Sequence, residues 1–207
     1  VSSMAAVVRI SNSSTLDSTA IHVSAGGAGF VTLRSSQPGF DGTAAAVSLA
    51  SSVSLRNASF TLSGLQVICR AVSAGIALVG NIAGHSNAVT VEDVWVRLVL
   101  RSPQTPLPNA VFLLQNTSAF EVVTARGVTV NVDGSPEAAV AFLLLSEITK
   151  SINNTATLAV TLTDCTYAAT SLRVDGHFIR VMDVAGAIRL VLTIANTTTT
   201  LDCQQPH

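Results

Sequence analysis

The sequence contains one lysine, Lys150, among eleven basic residues, and its formal net charge is −1. With charged residues at 11% and aromatics at 4%, no basic stripe interleaved with rings is available, which argues against a nucleic-acid partner. The 48% hydrophobic content must therefore fill its interior with Val, Leu, Ile and Ala in thin, regular layers. Long apolar runs are also missing. The longest, from Ala138 to Leu145, falls far short of the roughly 20 residues of a membrane-spanning helix. Cysteine is scarce: Cys69, Cys165 and Cys203 are too few for a disulfide framework and fit neither a zinc site nor a redox CxxC pair. No G-x-S-x-G elbow or phosphate-binding P-loop motif occurs, so hydrolase and nucleotide-binding readings lose their usual signatures. The opening "VSSMAAVVRI" carries no initiator Met or signal-peptide pattern, and "TTTTLDCQQPH" supplies no cap; both lead us to expect a segment, residues 1–207, of a longer repeat-containing protein.

Sequons and a repeat are present instead. Asn12, Asn57, Asn116, Asn153 and Asn196 each begin N-x-[ST], making them glycosylation candidates and suggesting an extracellular or cell-surface setting. The octet "VTVEDVWV" from Val89 has counterparts in "VSLRNASF" from Val53, "VTARGVTV" from Val123, "VTLTDCTY" from Val160 and "LTIANTTT" from Leu192. The starts at 53, 89, 123, 160 and 192 lie 36, 34, 37 and 32 residues apart, a loose period with variable loops. "VRISNSST" from Val8, with Asn12 in the fifth place, is a candidate sixth copy. The fifth place otherwise holds Asn57, Asp93, Gly127, Asp164 and Asn196, residues that tolerate positive φ and so turn a strand sharply. These five are structural corners in our reading, with Arg56, Glu92, Arg126 and Thr163 beside them facing solvent.

Between the octets lie near-continuous apolar segments: "AAAVSL" at Ala44, "GIALV" at Gly75, "NAVFLL" at Asn109, "AVAFLLL" at Ala139 and "HFIRV" at His177. Such runs suit buried strands of a parallel arrangement, although "AAVAFLLLSEI" at 138–148 also holds good helix formers. One apolar strand plus the two strands around each corner make three per repeat. Stacking about five to six such coils about 4.8 Å apart would bury their inward side chains, giving an all-β fold, a β-solenoid. Cys165 and Cys203, 38 residues apart, are then candidates for a disulfide between coils, although they occupy different places relative to their octets.

The corner-bearing octets, the Ala/Val/Leu strands, the sequons and the scarcity of lysine resemble the pectin-lyase-like class of right-handed parallel β-helix. Among its members the chain is most similar to the surface proteins of the trypanosome dispersed gene family. That resemblance implies a large, glycosylated, membrane-anchored protein with an adhesive or host-facing role and a glycan or extracellular protein as ligand.

Enzymes of that class are expected to cluster carboxylates with Arg or Lys. Here the best constellation is "RVDGHFIRVMD", with Arg173, Asp175, His177, Arg180 and Asp183. Alternation sets His177, Ile179 and Val181 on one face and Phe178 and Arg180 on the other, which weakens an acid–base pair. "AGGAGF" at Ala25 reads as a loop, His22 and His85 as isolated residues, and Trp95 as either a sugar-stacking platform or a packing residue. An ice-binding threonine ladder is not expected, because only Thr197 to Thr200 cluster and consecutive residues face opposite ways. The expectation is a non-enzymatic structural or adhesive segment with no catalytic residue, cofactor or metal, and the alternative is a polysaccharide lyase or hydrolase, or its inactive remnant.

Overall fold

A computed structural model describes residues 4–11, 15–34, 43–50, 53–71, 73–100, 109–117, 120–133, 140–146, 157–172, 176–182 and 189–203. Among them every regular element is a strand. The eighteen strands fall into six triplets. The first is β1 (Met4–Ser11), β2 (Thr15–Asp17) and β3 (Ala20–Arg34), followed by β4 (Thr43–Ala50), β5 (Val53–Arg56) and β6 (Ser59–Ala71). The third and fourth are β7 (Ser73–His85), β8 (Asn87–Glu92) and β9 (Trp95–Leu100), then β10 (Asn109–Thr117), β11 (Phe120–Arg126) and β12 (Thr129–Asp133). Last come β13 (Val140–Ser146), β14 (Thr157–Thr163) and β15 (Thr166–Leu172), then β16 (Gly176–Met182), β17 (Arg189–Ala195) and β18 (Thr198–Cys203).

Strands occupying the same place in successive triplets are parallel neighbours, except that β5 pairs β7 and β8 pairs β6. One sheet runs β1-β4-β7-β10-β13-β16, with β2 pairing β5 and β5 also pairing the end of β7. The other runs β17-β14-β11-β8-β6-β9-β12-β15-β18, with β3 pairing β6. The order turns at β6 because this one long strand pairs β8 through Ser59–Ser63 and β9 through Gln66–Ala71. Val140–Ser146 is a strand, so the helix-forming residues of 138–148 yield there to parallel pairing on both sides.

Alternation explains the core. In β8 the sequence Asn87–Glu92 reads buried, half-buried three times over, and the next triplets repeat it at Val123 and Ala125, then Val160 and Leu162. Together with Phe60, Leu62, Val89, Val91, Val96, Leu98 and Val130, these residues form one apolar cluster. The sheet through β10 and β13 breaks the rule. Val111 and Phe112, and again Phe142 and Leu143, are consecutive and fully buried, and Phe178 and Ile179 both pack against the same core. The expected division of β16 into two faces therefore fails at Phe178.

Rings also gather where composition led us to expect only aliphatics. Phe142 lies 5.4 Å from Phe112, 5.1 Å from Phe178 and 5.6 Å from Tyr167 between centroids, so four of the few aromatic residues make one stack through three triplets. The Tyr167 hydroxyl is buried with no hydrogen-bond partner among the described residues, and burial pushes its pKa up.

Two columns of corners turn the chain. The five positions read from the sequence all have positive φ: Asn57 51°, Asp93 51°, Gly127 61°, Asp164 53° and Asn196 49°. They do not share one column. Asn57 lies between Ser18 and Ser86, also at positive φ, because β5 pairs β2 and β7. Register puts Gly64, at φ 62°, beside Asp93 in the second column, since Ser63 faces Glu92 and Gln66 faces Trp95. The strand that aligns with "VTVEDVWV" is thus "FTLSGLQV" from Phe60, not "VSLRNASF". Asn12, the corner of the candidate sixth copy, lies outside the described residues.

Candidate functional site

The second corner column is closed by backbone. Asp93 N donates to Arg126 O, Gly127 N to Thr163 O and Asp164 N to Ala195 O, at 2.9, 3.0 and 3.0 Å, so each corner is tied to the residue before the next. The side-chain amide of Asn196 adds a 3.1 Å bond to Asp164 Oδ1. In the first column a buried side chain takes part: Ala58 N donates to Asn87 Oδ1 at 2.8 Å while Asn87 Nδ2 donates to Leu55 O at 3.1 Å. Asn87 clasps two triplets in a place where an unsatisfied backbone group would be costly. Nothing in the sequence set Asn87 apart from the exposed asparagines.

On the outer side, register makes a threonine column that the sequence reading had dismissed. Thr61, Thr90, Thr124, Thr161 and Thr193 are successive partners in neighbouring strands, with His22 preceding Thr61. Each is half-buried or exposed while the residues flanking it in the inner four are core. The ladder runs across strands at about 4.8 Å per step, not along one strand, which is why the adjacent cluster Thr197 to Thr200 did not reveal it. The shared Ser/Thr second place of the octets was the available signal. His22 Nε2 meets Ser63 Oγ at 3.0 Å, so that imidazole is held against the neighbouring triplet.

Beyond the second corner column the outward positions change character. Gln66, Trp95, Thr129, Thr166 and Thr198 form one column. Two residues along, Arg97 faces Asn131, and its Nε and Nη2 donate to Asp133 Oδ2 at 2.8 and 2.6 Å. A half-buried indole therefore stands beside a guanidinium–carboxylate pair whose two members are about half exposed. The ring offers an apolar plane and the ion pair fixes donors and acceptor directions next to it, an arrangement suited to stacking and hydrogen-bonding a flat polar ligand. Trp95 was singled out in the sequence, but Arg97 and Asp133 lie 36 residues apart and only register joins them.

The other candidates are dispersed. Asn57 and Asn196 are exposed, Asn116 lies in β10, and Asn12 and Asn153 fall outside the described residues. His177 and Arg180 are half-buried on β16, whereas Arg173, Asp175 and Asp183 also fall outside. No group of three or more His, Cys, Asp or Glu that could hold a metal occurs among the described residues.

The cysteine pairing considered above is not made. Cys165 is a free, buried thiol whose Sγ donates to Thr163 O at 3.3 Å and Ala125 O at 3.5 Å. It precedes Thr166, the partner of Thr198, while Cys203 pairs in register with Leu172 at the far end of β15. Different places relative to the corner become different places along the strand. Burial raises the Cys165 pKa, opposed by backbone hydrogen bonds from Val128 and Thr163, and burial alone pushes Cys69 up to about 12.

Comparisons with protein-family models, with curated proteins and with solved structures found no match.

Proposed function

We propose that the chain is a right-handed parallel β-helix of six three-strand coils, serving as a non-enzymatic structural and adhesive segment of a secreted or cell-surface glycoprotein. The observation that carries this reading is the parallel series β1-β4-β7-β10-β13-β16, in which each strand pairs with the strand three places along. Such stacking yields a rigid rod whose outward columns hold side chains at fixed spacing, a device for display. Exposed sequons at Asn57 and Asn196, and the resemblance to trypanosome surface proteins, support the setting.

The patch of Trp95, Arg97 and Asp133 is the adhesive element, and a glycan or an extracellular protein loop is its ligand class. No helix among the described residues is long and apolar enough to cross a membrane. A glycan-array and cell-binding assay of the chain beside its Trp95→Ala and Arg97→Ala variants tests the role. Binding that falls at least tenfold in both variants supports it; binding unaffected by either removes the patch. Mass spectrometry of the native glycoprotein at Asn57 and Asn196 tests the compartment, and bare side chains at both would count against it.

A further inference from the structure

Beside the threonine column on the outer side lie two others. One is Ala88, Val122 and Ala159, and the other is Glu92, Arg126 and Thr163, each joined by register across β8, β11 and β14. These three strands have parallel neighbours on both sides, so the face belongs to the middle of the stack. Its outward residues are half-buried or exposed, and Val122, an aliphatic side chain, is 41% exposed.

Glu92 and Arg126 are the two charges of these columns, and they differ from the pair beyond the second corner. Arg97 donates to Asp133 at 2.8 and 2.6 Å, whereas neither Glu92 nor Arg126 makes an ion pair or side-chain hydrogen bond among the described residues. Opposite charges thus stand one strand apart, each open to a charge from outside the chain.

The pattern is self-complementary. Ala88 beside Val122 sets a small side chain next to a larger one, Glu92 beside Arg126 sets a carboxylate next to a guanidinium, and Thr90 stands beside Thr124 between them. We propose that this face is an interface whose occupant is the same face of a second copy of this chain, related by a two-fold axis running along the strands between β8 and β11. That rotation lays β8 over β11 of the second copy and keeps each residue's height along the strand. Glu92 then meets Arg126 of the second copy, Ala88 receives Val122, and threonine faces threonine. The contact is isologous and closes as a dimer, so each opposite-charge contact is made twice. Facing sheets pack about 10 Å apart with their strands nearly aligned, a gap that small and β-branched side chains can fill. An axis across the strands, centred on the threonines, would instead bring Glu92 over Ala88 and leave the charges unpaired. Charge therefore selects the first axis.

The candidate glycan sites do not lie in these columns: Asn57 and Asn196 are corners, and Asn116 is on β10 in the other sheet. The Trp95 patch lies beyond the second corner on β9 and β12, outside the contact. This inference rests on register and charge and stands or falls independently of the adhesive role.

The test is sedimentation equilibrium of the 207-residue chain up to about 1 mM, because a contact a few strands wide is a weak one. We expect a monomer–dimer equilibrium without larger species, weakened by salt. Glu92→Arg and Arg126→Glu each put like charges face to face and should each weaken dimerisation roughly tenfold or more. In their equimolar mixture each copy carries one sign, so heterodimers should form as readily as dimers of the unaltered chain. That recovery also shows that neither variant has merely failed to fold. An unaltered chain that stays monomeric, a single exchange that dimerises as before, or a mixture that does not recover the dimer would each overturn the proposal.

Discussion

Leu162 and Ile194 share a column, a branched aliphatic side chain and a place in the octet, yet one is buried and the other half exposed. Leu162 lies on β14, flanked by β11 and β17, whereas among the described residues β17, which carries Ile194, has a neighbour on one side. A strand in this architecture does not bury its own inward residues; the neighbour at about 4.8 Å does. Sequence pattern marks which side chains face inward, and position in the stack decides whether that facing is worth anything.

The largest way to break the comparison is at an interior junction. Gly84 has φ 144° and a Cβ there would collide with the carbonyl oxygen of Leu55. Gly84→Ala should destabilise the chain by more than ~3 kcal/mol, through strained backbone and overpacking together, measured by urea unfolding. Next comes the pair itself. Leu162→Ala should lose about 2–5 kcal/mol, and Ile194→Ala below about 1 kcal/mol in the monomer, by the same melts. Equal losses would show that the last triplet is covered in solution even at low concentration.

Thiols sharpen the contrast. Cys69 and Leu201 lie in one column through Leu98, Val132 and Ala169. Cys69 should resist iodoacetamide in the folded chain, while the Leu201→Cys thiol should react readily. Because burial raises the Cys69 pKa from 9.0 to about 12, its contribution to stability is complete below pH 9 and lost as pH rises toward 12. Cys69→Ala should flatten the loss of stability in that window. The smallest effect belongs to a corner: Ser86, exposed at φ 58°, should gain up to about 1 kcal/mol as Ser86→Gly, by relief of left-handed strain.

Much of the strand plan was legible because the octets carry it in period-2 alternation and in corner residues whose φ preference is intrinsic. All five corners adopt positive φ. Placing Asn57 with the others failed for a physical reason: the second triplet has two left-handed corners, Asn57 and Gly64, and "SLRNA" and "TLSGL" satisfy the same grammar seven residues apart. Register alone separates them. The same limit hid the threonine column and the joining of Arg97 to Asp133, since both are products of stacking between distant segments. The paired inward residues Phe142 and Leu143 were hidden by a departure from alternation that their composition does not announce.

Stacking itself is most directly tested by a spin-label distance. Thr61 and Thr193 are separated by four parallel steps, about 19 Å at the usual strand spacing. Double electron–electron resonance on Thr61→Cys, Thr193→Cys, with Cys69, Cys165 and Cys203 replaced and the chain dilute, should give a single narrow distribution near that value after allowance for the label arms. A broad distribution, or a mean above about 35 Å, would mean that the triplets do not lie one upon another.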